Sequence, residues 1–383
     1  MKEVLLIGLG GIGAIYAYVL KESQQVRLTV VARSNYDVAQ KNGMNFRSDK
    51  FGDHVKGWKP DRLFPRIADA ADQKYDYVFV ATKVVPEVIT TEKMLAPLLT
   101  KSYVEQWGQP IYVLLQNGMG VERGLYGAIR GVEEEVSRTE SSSAQPVRIV
   151  SACVYCMGNL IAPDTVEYVE GHRLTIGVFR PGVFNITHDS EEEANVLNDL
   201  EVILEAGGTS ITVVPEIQRR KLEKNMLNLA FATFATLSNH PIHTLFRPPP
   251  DPNSSEKYDV YVHPATASLI EEYTIPNIKA VFMEVIAIGR ALGFPDSEDG
   301  IPSSVATKFL ELTRTNHLNP KNNHVPSMLL DMRNGKPMEI EVILGEVVRL
   351  AQRVGVDIPR IQMLYSILLV VQNQILKKVM EAK

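Results

Sequence analysis

Lys221 and Asn225 stand four residues apart in a stretch of helical periodicity, so both side chains project from one face of a helix. Reducing a ketone leaves negative charge on the carbonyl oxygen, and an ammonium beside an amide donor can supply the proton that quenches it. A Lys-x-x-x-Asn pair is also what a solvated helical face presents, so the pair alone decides nothing. A second group opens the chain. Gly8-Leu9-Gly10-Gly11-Ile12-Gly13 has the G-x-G-x-x-G spacing, with a strand-length apolar run before it and a helical stretch after it. Gly8 would allow the tight turn, Gly10 the close approach of backbone to a pyrophosphate, and Gly13 the close packing of helix on strand. The pyrophosphate would rest on the helix N-terminus, where unpaired N–H groups and the helix dipole favour negative charge.

The end of the next strand selects the cofactor. An NAD site places Asp or Glu there for the ribose 2′-hydroxyl. Here Val30-Val31-Ala32 runs into Arg33-Ser34, a cation and a hydroxyl suited to a 2′-phosphate, which points to NADP. Lys83 and Asn117 follow two later strand-like runs, at the ends where ligands of open α/β sheets bind, although Asn117-Gly118 also reads as a plain turn. Glu339 lies just past Pro337 at a helix start, where a carboxylate complements the dipole. Ser327 is most simply a helix N-cap.

Elements of two kinds must position these residues. In the first half, strand-like runs at Glu3–Ile7, Val26–Ala32, Tyr75–Thr82, Ile111–Gln116, Arg148–Cys156, Leu174–Phe179 and Ser210–Val214 alternate with amphipathic stretches, the pattern of βαβ units. From about Glu216 the apolar residues switch to helical spacing, as in Leu222, Met226 and Leu229, or Ile340, Ile343, Leu344, Val347 and Val348. The pattern predicts an α/β Rossmann-type domain with a parallel-type sheet over residues 1–215 and an all-α domain over 216–383. Two stretches read as surface insertions unable to continue a helix or central strand: acidic, Ser-rich 133–146, and 247–257 with its Pro248-Pro249-Pro250 run.

Composition narrows the class. In 383 residues, 45% hydrophobic and 22% charged, the balance is that of a globular chain, and the net charge of −5 argues against a nucleic-acid or anionic-membrane footprint. No apolar run approaches membrane-spanning length, Ile367–Val371 included. The strand at the very start leaves no room for a signal segment, so a cytoplasmic address is expected. The only cysteines, Cys153 and Cys156, have C-x-x-C spacing inside a strand, where residues three apart face opposite ways, which suits neither a bridge nor a shared metal. No metal site is expected.

Taken together and in order, these pieces resemble the ketopantoate reductases (2-dehydropantoate 2-reductases), especially their longer fungal relatives. The resemblance rests on the opening GLGGIG, Arg33, Thr82-Lys83, Gln116-Asn117-Gly118-Met119-Gly120, Lys221-x-x-x-Asn225, and Ser327-Met328-Leu329-x-Asp331 leading to Glu339-Ile340-Glu341. It covers nearly the whole chain apart from the two insertions. It implies NADPH-dependent reduction of 2-dehydropantoate to pantoate, with Lys221 as general acid and Asn225 beside it on the substrate. It further implies Glu339 at the substrate's hydroxyl end, Ser327 at its carboxylate, Asn117 near nicotinamide and substrate, Lys83 on the cofactor, and Asn239 as a further substrate contact. Two positions depart from the family. Its second asparagine on the lysine helix falls on Leu229, Asn228 being rotated away by about 100°, and the residue three before Ser327 is His324 rather than asparagine. The departures place another 2-oxo acid reductase of this architecture, and a non-catalytic NADP sensor, beside the leading reading. The expected partner is a small 2-oxo acid, and a homodimer is the assembly left open.

Overall fold

The computed structural model describes residues 1–48, 55–136, 146–253 and 257–381. They divide into two compact units, Met1–Arg220 and Lys221–Lys383.

In the first unit, among the described residues, nine strands form one sheet: β1 (Lys2–Ile7), β2 (Val26–Val31), β3 (Asn45–Ser48), β4 (Arg62–Phe64), β5 (Tyr77–Val80), β6 (Ile111–Leu114), β7 (Ile149–Ala162), β8 (Thr165–Val178) and β9 (Ser210–Val213). Their spatial order is β3-β8-β7-β6-β5-β1-β2-β4, with β9 also on β8. Strands β7, β6, β5, β1, β2 and β4 pair in parallel, as the βαβ alternation predicts. The one antiparallel pair is the long hairpin β7–β8, which carries β3 and β9 in parallel on its second strand. Parallel strands covered on both faces must be apolar along their length, and Val4, Leu5, Leu6, Val78, Phe79, Val80, Val113 and Leu114 are all wholly buried. The chain returns between parallel strands through helices such as Gly11–Glu22, whose Ala14, Ile15, Tyr16, Ala17, Val19 and Leu20 face the core.

The second unit is helical. Its core is built from Leu222, Met226, Leu229 and Phe231 of one helical stretch, Ile278, Phe282 and Val285 of helix Ile275–Ala291, and Leu344, Val347 and Ala351 of another. Edge-to-face contact between Phe231 and Phe282, with centroids 5.7 Å apart, joins the first two. Short π-helical segments interrupt the α-helices at Asn228–Ala232, Ile270–Thr274 and Glu341–Gly345.

Both supposed insertions need correction where they can be seen. Helix Arg123–Val136 runs through the first four residues of 133–146, and Glu133 accepts hydrogen bonds from Arg130 and Arg148. Glu133 is anchored by neighbouring arginines on a helix rather than left in a loop; residues 137–145 lie outside the described residues. In 247–257, Arg247 is only 2% exposed. Its guanidinium donates to the carbonyls of His317, Asn319 and Asn322 at 3.3, 2.8 and 2.6 Å and lies over the Tyr258 ring. A buried cation is tolerated when hydrogen-bonded in this way; residues 254–256 lie outside the described residues. The cysteines are unbridged and sit on opposite faces of β7, Cys153 with Val214 and Ile217, Cys156 against the main sheet core. Among the described residues no helix is long and apolar enough to cross a membrane, and no group of His, Cys, Asp or Glu is arranged to hold a metal.

Candidate active site

The parallel register assembles the cofactor candidates of the first unit. Ile7 stands beside Val31 on one side and Val80 on the other, and Val80 beside Leu114. The strands end level, so Gly8, Arg33, Lys83 and Asn117, each one to three residues further on, share one edge of the sheet. Strand order reverses at β1, with β2 on one side and β5 on the other, which is where open α/β sheets bind ligands.

The glycine loop is shaped by close approaches. Gly8 has φ +101°, and a Cβ there would lie 2.9 Å from the Thr82 methyl carbon. A Cβ on Gly13 would lie 1.7 Å from the Gly8 carbonyl oxygen, so the helix could not pack this near the strand with any side chain there. A Cβ on Gly11 would meet the carbonyl oxygen of Gly158 in the β7–β8 hairpin at 2.4 Å. Around Gly10, by contrast, a Cβ meets nothing within 4 Å. Leu9 is buried and Ile12 half-buried, so only the Gly10 stretch lies open. Gly10 caps helix Gly11–Glu22, whose first turn carries no acidic residue. Open space over a glycine at a helix N-terminus of twelve residues fits a pyrophosphate held by backbone N–H groups. Arg33 is exposed, and among the described residues nothing pairs with it. Lys83 is exposed, and Asn117 is half-buried ahead of Gly118 and Gly120, which adopt φ +86° and +70°.

In the second unit, Lys221 is 4% exposed, Asn225 2% and Glu339 7%, so the solvated-face reading of the Lys221–Asn225 pair does not describe this helix. The Asn225 amide nitrogen donates to the Ile343 carbonyl at 2.8 Å, tying the lysine helix to the turn that follows Glu339. Its amide oxygen is buried and accepts no hydrogen bond among the described residues. Ser327 is exposed and is the first residue of helix Ser327–Arg333; the capping position belongs to Pro326, and no side chain caps that end. The N-cap reading of Ser327 is therefore corrected, because proline's fixed φ already shapes that entry. The Ser327 helix packs on the π segment 228–232 and on helix Thr233–Ser238. Asn239, the left-handed C-cap of Thr233–Ser238 (φ +57°), accepts from Arg333 at its side-chain oxygen (2.9 Å) and at its carbonyl (2.5 Å). That cap and clamp give an asparagine here a structural role of its own. Leu229 is wholly buried in the core, and His324 is exposed with its ring 6.4 Å from that of His317.

The models for the two parts of one family match the chain: "Ketopantoate reductase PanE/ApbA" over residues 4–181 and "Ketopantoate reductase PanE/ApbA C terminal" over residues 263–372. Together they cover well over half of it. The chain belongs to the ketopantoate reductase family. An uncharacterised protein of Saccharomyces cerevisiae is 27% identical over 98% of this chain and 95% of its own length. A solved 2-dehydropantoate 2-reductase from Methylococcus capsulatus superposes with a TM-score of 0.70 at 23% identity, covering 97% of each chain. A D-mandelate dehydrogenase solved with NADH and anilino(oxo)acetate superposes with a TM-score of 0.67 at 16% identity, covering 97% of this chain and 99% of that one.

As a ketopantoate reductase family member the chain is an oxidoreductase that uses a nicotinamide cofactor. The matched stretches contain the glycine loop, Arg33, Lys83 and Asn117 in the first and Ser327 and Glu339 in the second; Lys221, Asn225 and Asn239 lie in the stretch that neither covers. Three supporting residues were given no role by the sequence reading. Asn35, buried just past Arg33, donates to the carbonyls of Leu9 (2.8 Å) and Pro163 (3.1 Å), tying the glycine loop to the β7–β8 turn. Gln116 donates to Thr82 and keeps a buried side-chain oxygen with no partner among the described residues, one residue before Asn117. Glu216 accepts from the N–H groups of Gln218 (3.0 Å) and Arg219 (2.6 Å), closing the N-terminus of the helix that carries Lys221. Burial pushes its carboxyl up to about 7, against those two donations. Only Glu216, directly before a helical stretch, could have been picked out beforehand, as a capping candidate.

Proposed function

We propose that this chain is an NADPH-dependent 2-dehydropantoate 2-reductase, forming pantoate on the route to coenzyme A. The observation that carries the reading is the burial of Lys221, Asn225 and Glu339 together, with Asn225 hydrogen-bonded into the turn that follows Glu339. Burial removes all three from competing water, which strengthens their hydrogen bonds and charge interactions with a bound substrate.

Gly10 and the first turn of helix Gly11–Glu22 hold the pyrophosphate, Arg33 pairs with the 2′-phosphate, and Lys83 and Asn117 contact the cofactor at the same sheet edge. NADPH, when bound, supplies the hydride. Lys221 gives its proton to the keto oxygen as charge develops there. Asn225 orients the keto acid, Ser327 its carboxylate, and Glu339 accepts from its hydroxyl; Asn239 is a further substrate contact. The reading carries with it a cytoplasmic address and a homodimer.

A second reading is reduction of a different 2-oxo acid. Two observations favour it: core packing of Leu229 where the family has a substrate-side asparagine, and the likeness to a dehydrogenase solved with an oxoacetate ligand. NADPH oxidation measured against a panel of 2-oxo acids decides. The first reading requires 2-dehydropantoate to give the highest kcat/KM. A higher value for an acid lacking its hydroxyl selects the second, and no turnover with any of them removes both.

A further inference from the structure

The residue two places after Glu339 has no part in the chemistry above. Glu341 opens the π segment Glu341–Gly345, in which the N–H of Glu346 donates to the carbonyl of Glu341 five residues back. Such wide turns are rare and recur at functional sites, because they rotate carbonyls out of the regular ladder. One carbonyl inside the segment, that of Ile343, receives the amide nitrogen of Asn225. The π segment after the lysine helix, 228–232, packs against this one.

A polar clamp closes over the turn. The Glu341 carboxylate accepts from the Tyr365 hydroxyl on one oxygen and from Arg349 on the other, at 2.7 Å. Arg349 also pairs with Glu346 at 2.9 Å, so it bridges the carboxylates at the two ends of the turn. Gly345 lies beneath: a Cβ there would stand 2.8 Å from a Glu341 carboxylate oxygen, 2.9 Å from the Tyr365 hydroxyl and 3.1 Å from Arg349. Burial and the bond to Glu341 push the Tyr365 hydroxyl up to about 12, so it stays a donor.

We propose that Glu341, Arg349 and Tyr365 are positioning residues, which lock the π segment so that the Ile343 carbonyl holds Asn225 with its amide oxygen presented to substrate. The inference rests on the reductase reading and sharpens one part of it. With its nitrogen committed to Ile343 and its buried oxygen unpaired among the described residues, Asn225 offers an acceptor. It takes a hydrogen bond from a donor, such as a hydroxyl of the substrate or the alcohol product.

The test is a double-mutant cycle on the full chain. Tyr365→Phe and Glu341→Gln are each made alone and with Asn225→Ala, and kcat/KM for the best 2-oxo acid and Kd for NADPH are measured. Misplacing a substrate contact by a fraction of an ångström should lower kcat/KM about ten-fold or more in the wild-type background. It should do little once Asn225 is gone, with NADPH affinity unchanged throughout. Equal losses in both backgrounds would overturn the proposal, since a merely stabilising clamp acts whatever stands at 225. Hydrogen exchange supplies an arm independent of turnover, with Tyr365→Phe as the milder variant if Glu341→Gln folds poorly. Faster exchange in both segments 339–348 and 222–230 supports the coupling; faster exchange in 339–348 alone overturns it. If the wild type reduces no 2-oxo acid, the reductase reading falls, and the exchange arm still decides whether the clamp holds Asn225.

Discussion

At the scale of single residues, burial separates the chemical candidates from ordinary surface polar groups. Lys221 is buried while Lys224, three residues on, is half-buried on the same helix. Lys221→Ala should lower kcat by about 10²–10⁴-fold, the usual cost of losing a general acid, and leave NADPH affinity nearly unchanged. Lys224→Ala should keep near-wild-type kcat; steady-state kinetics on both variants reads the contrast directly, and equal damage would remove Lys221 from its role. Arg33 makes the opposite case, a guanidinium exposed at a strand end with nothing paired to it among the described residues. Arg33→Asp should weaken NADPH binding and spare NADH, as followed by fluorescence titration. Equal wild-type affinities for the two cofactors would refute the NADP assignment. For Glu339, replacement by Ala should raise KM for the hydroxylated substrate far more than for an analogue without that hydroxyl. Parallel losses would mean that the carboxylate only supports the helix start.

At the scale of elements, the glycine loop divides into positions that build the fold and one that serves a ligand. A methyl group on Gly13 would collide with backbone, which must move, whereas at Gly10 there is open space and ordinary φ and ψ of −80° and −168°. Gly13→Ala should therefore destabilise by about 1–3 kcal/mol in urea unfolding. Gly10→Ala should hold its stability to within about 0.5 kcal/mol yet lose cofactor affinity. Unimpaired NADPH binding by Gly10→Ala would show that the pyrophosphate lies elsewhere. The same scale shows what local reading misses. Strands that are apolar throughout, such as Val4–Ile7 and Tyr77–Val80, announce themselves; β3 (Asn-Phe-Arg-Ser) and β4 (Arg-Leu-Phe), short and partly polar, do not. Their stability comes from pairing with β8 and β2 rather than from their own residues. The π segments were equally hidden, since widening one turn hardly disturbs an apolar stripe.

At the scale of the whole molecule, buried titrating groups give folding stability a pH dependence of two signs. Glu216 titrates near 7 when folded, above its ordinary 4.5, because it is desolvated. Its contribution is fully present below about pH 4.5 and is lost as pH rises through 7. His317 is held down to about 4 by burial, so its contribution is present above its ordinary 6.5 and is lost as pH falls through 4. Glu216→Gln should remove the first slope and leave the second. Between about pH 5 and pH 8 the variant should gain up to about 3 kcal/mol on the wild type, read from urea midpoints at several pH values. Identical slopes in the two proteins would show that Glu216 ionises freely in the fold.

Sequence alone determined the fold class, the family and the order of the chemical pieces. Those depend on periodicity, on glycine where side chains cannot fit, and on short motifs, all of which are local. Only the tertiary structure decided which polar residues leave water. Lys221 and Asn225 look like a solvated pair until the core closes over them. Arg247 looks like the edge of a surface insertion, yet it is buried on three carbonyls brought from seventy and more residues away. Asn239, expected as a substrate contact, is also a helix cap held by Arg333, a role set by a residue ninety-four positions away. The physical reason is the same in each case: burial and hydrogen-bond partners are set by segments distant in the chain, and no local pattern encodes their approach.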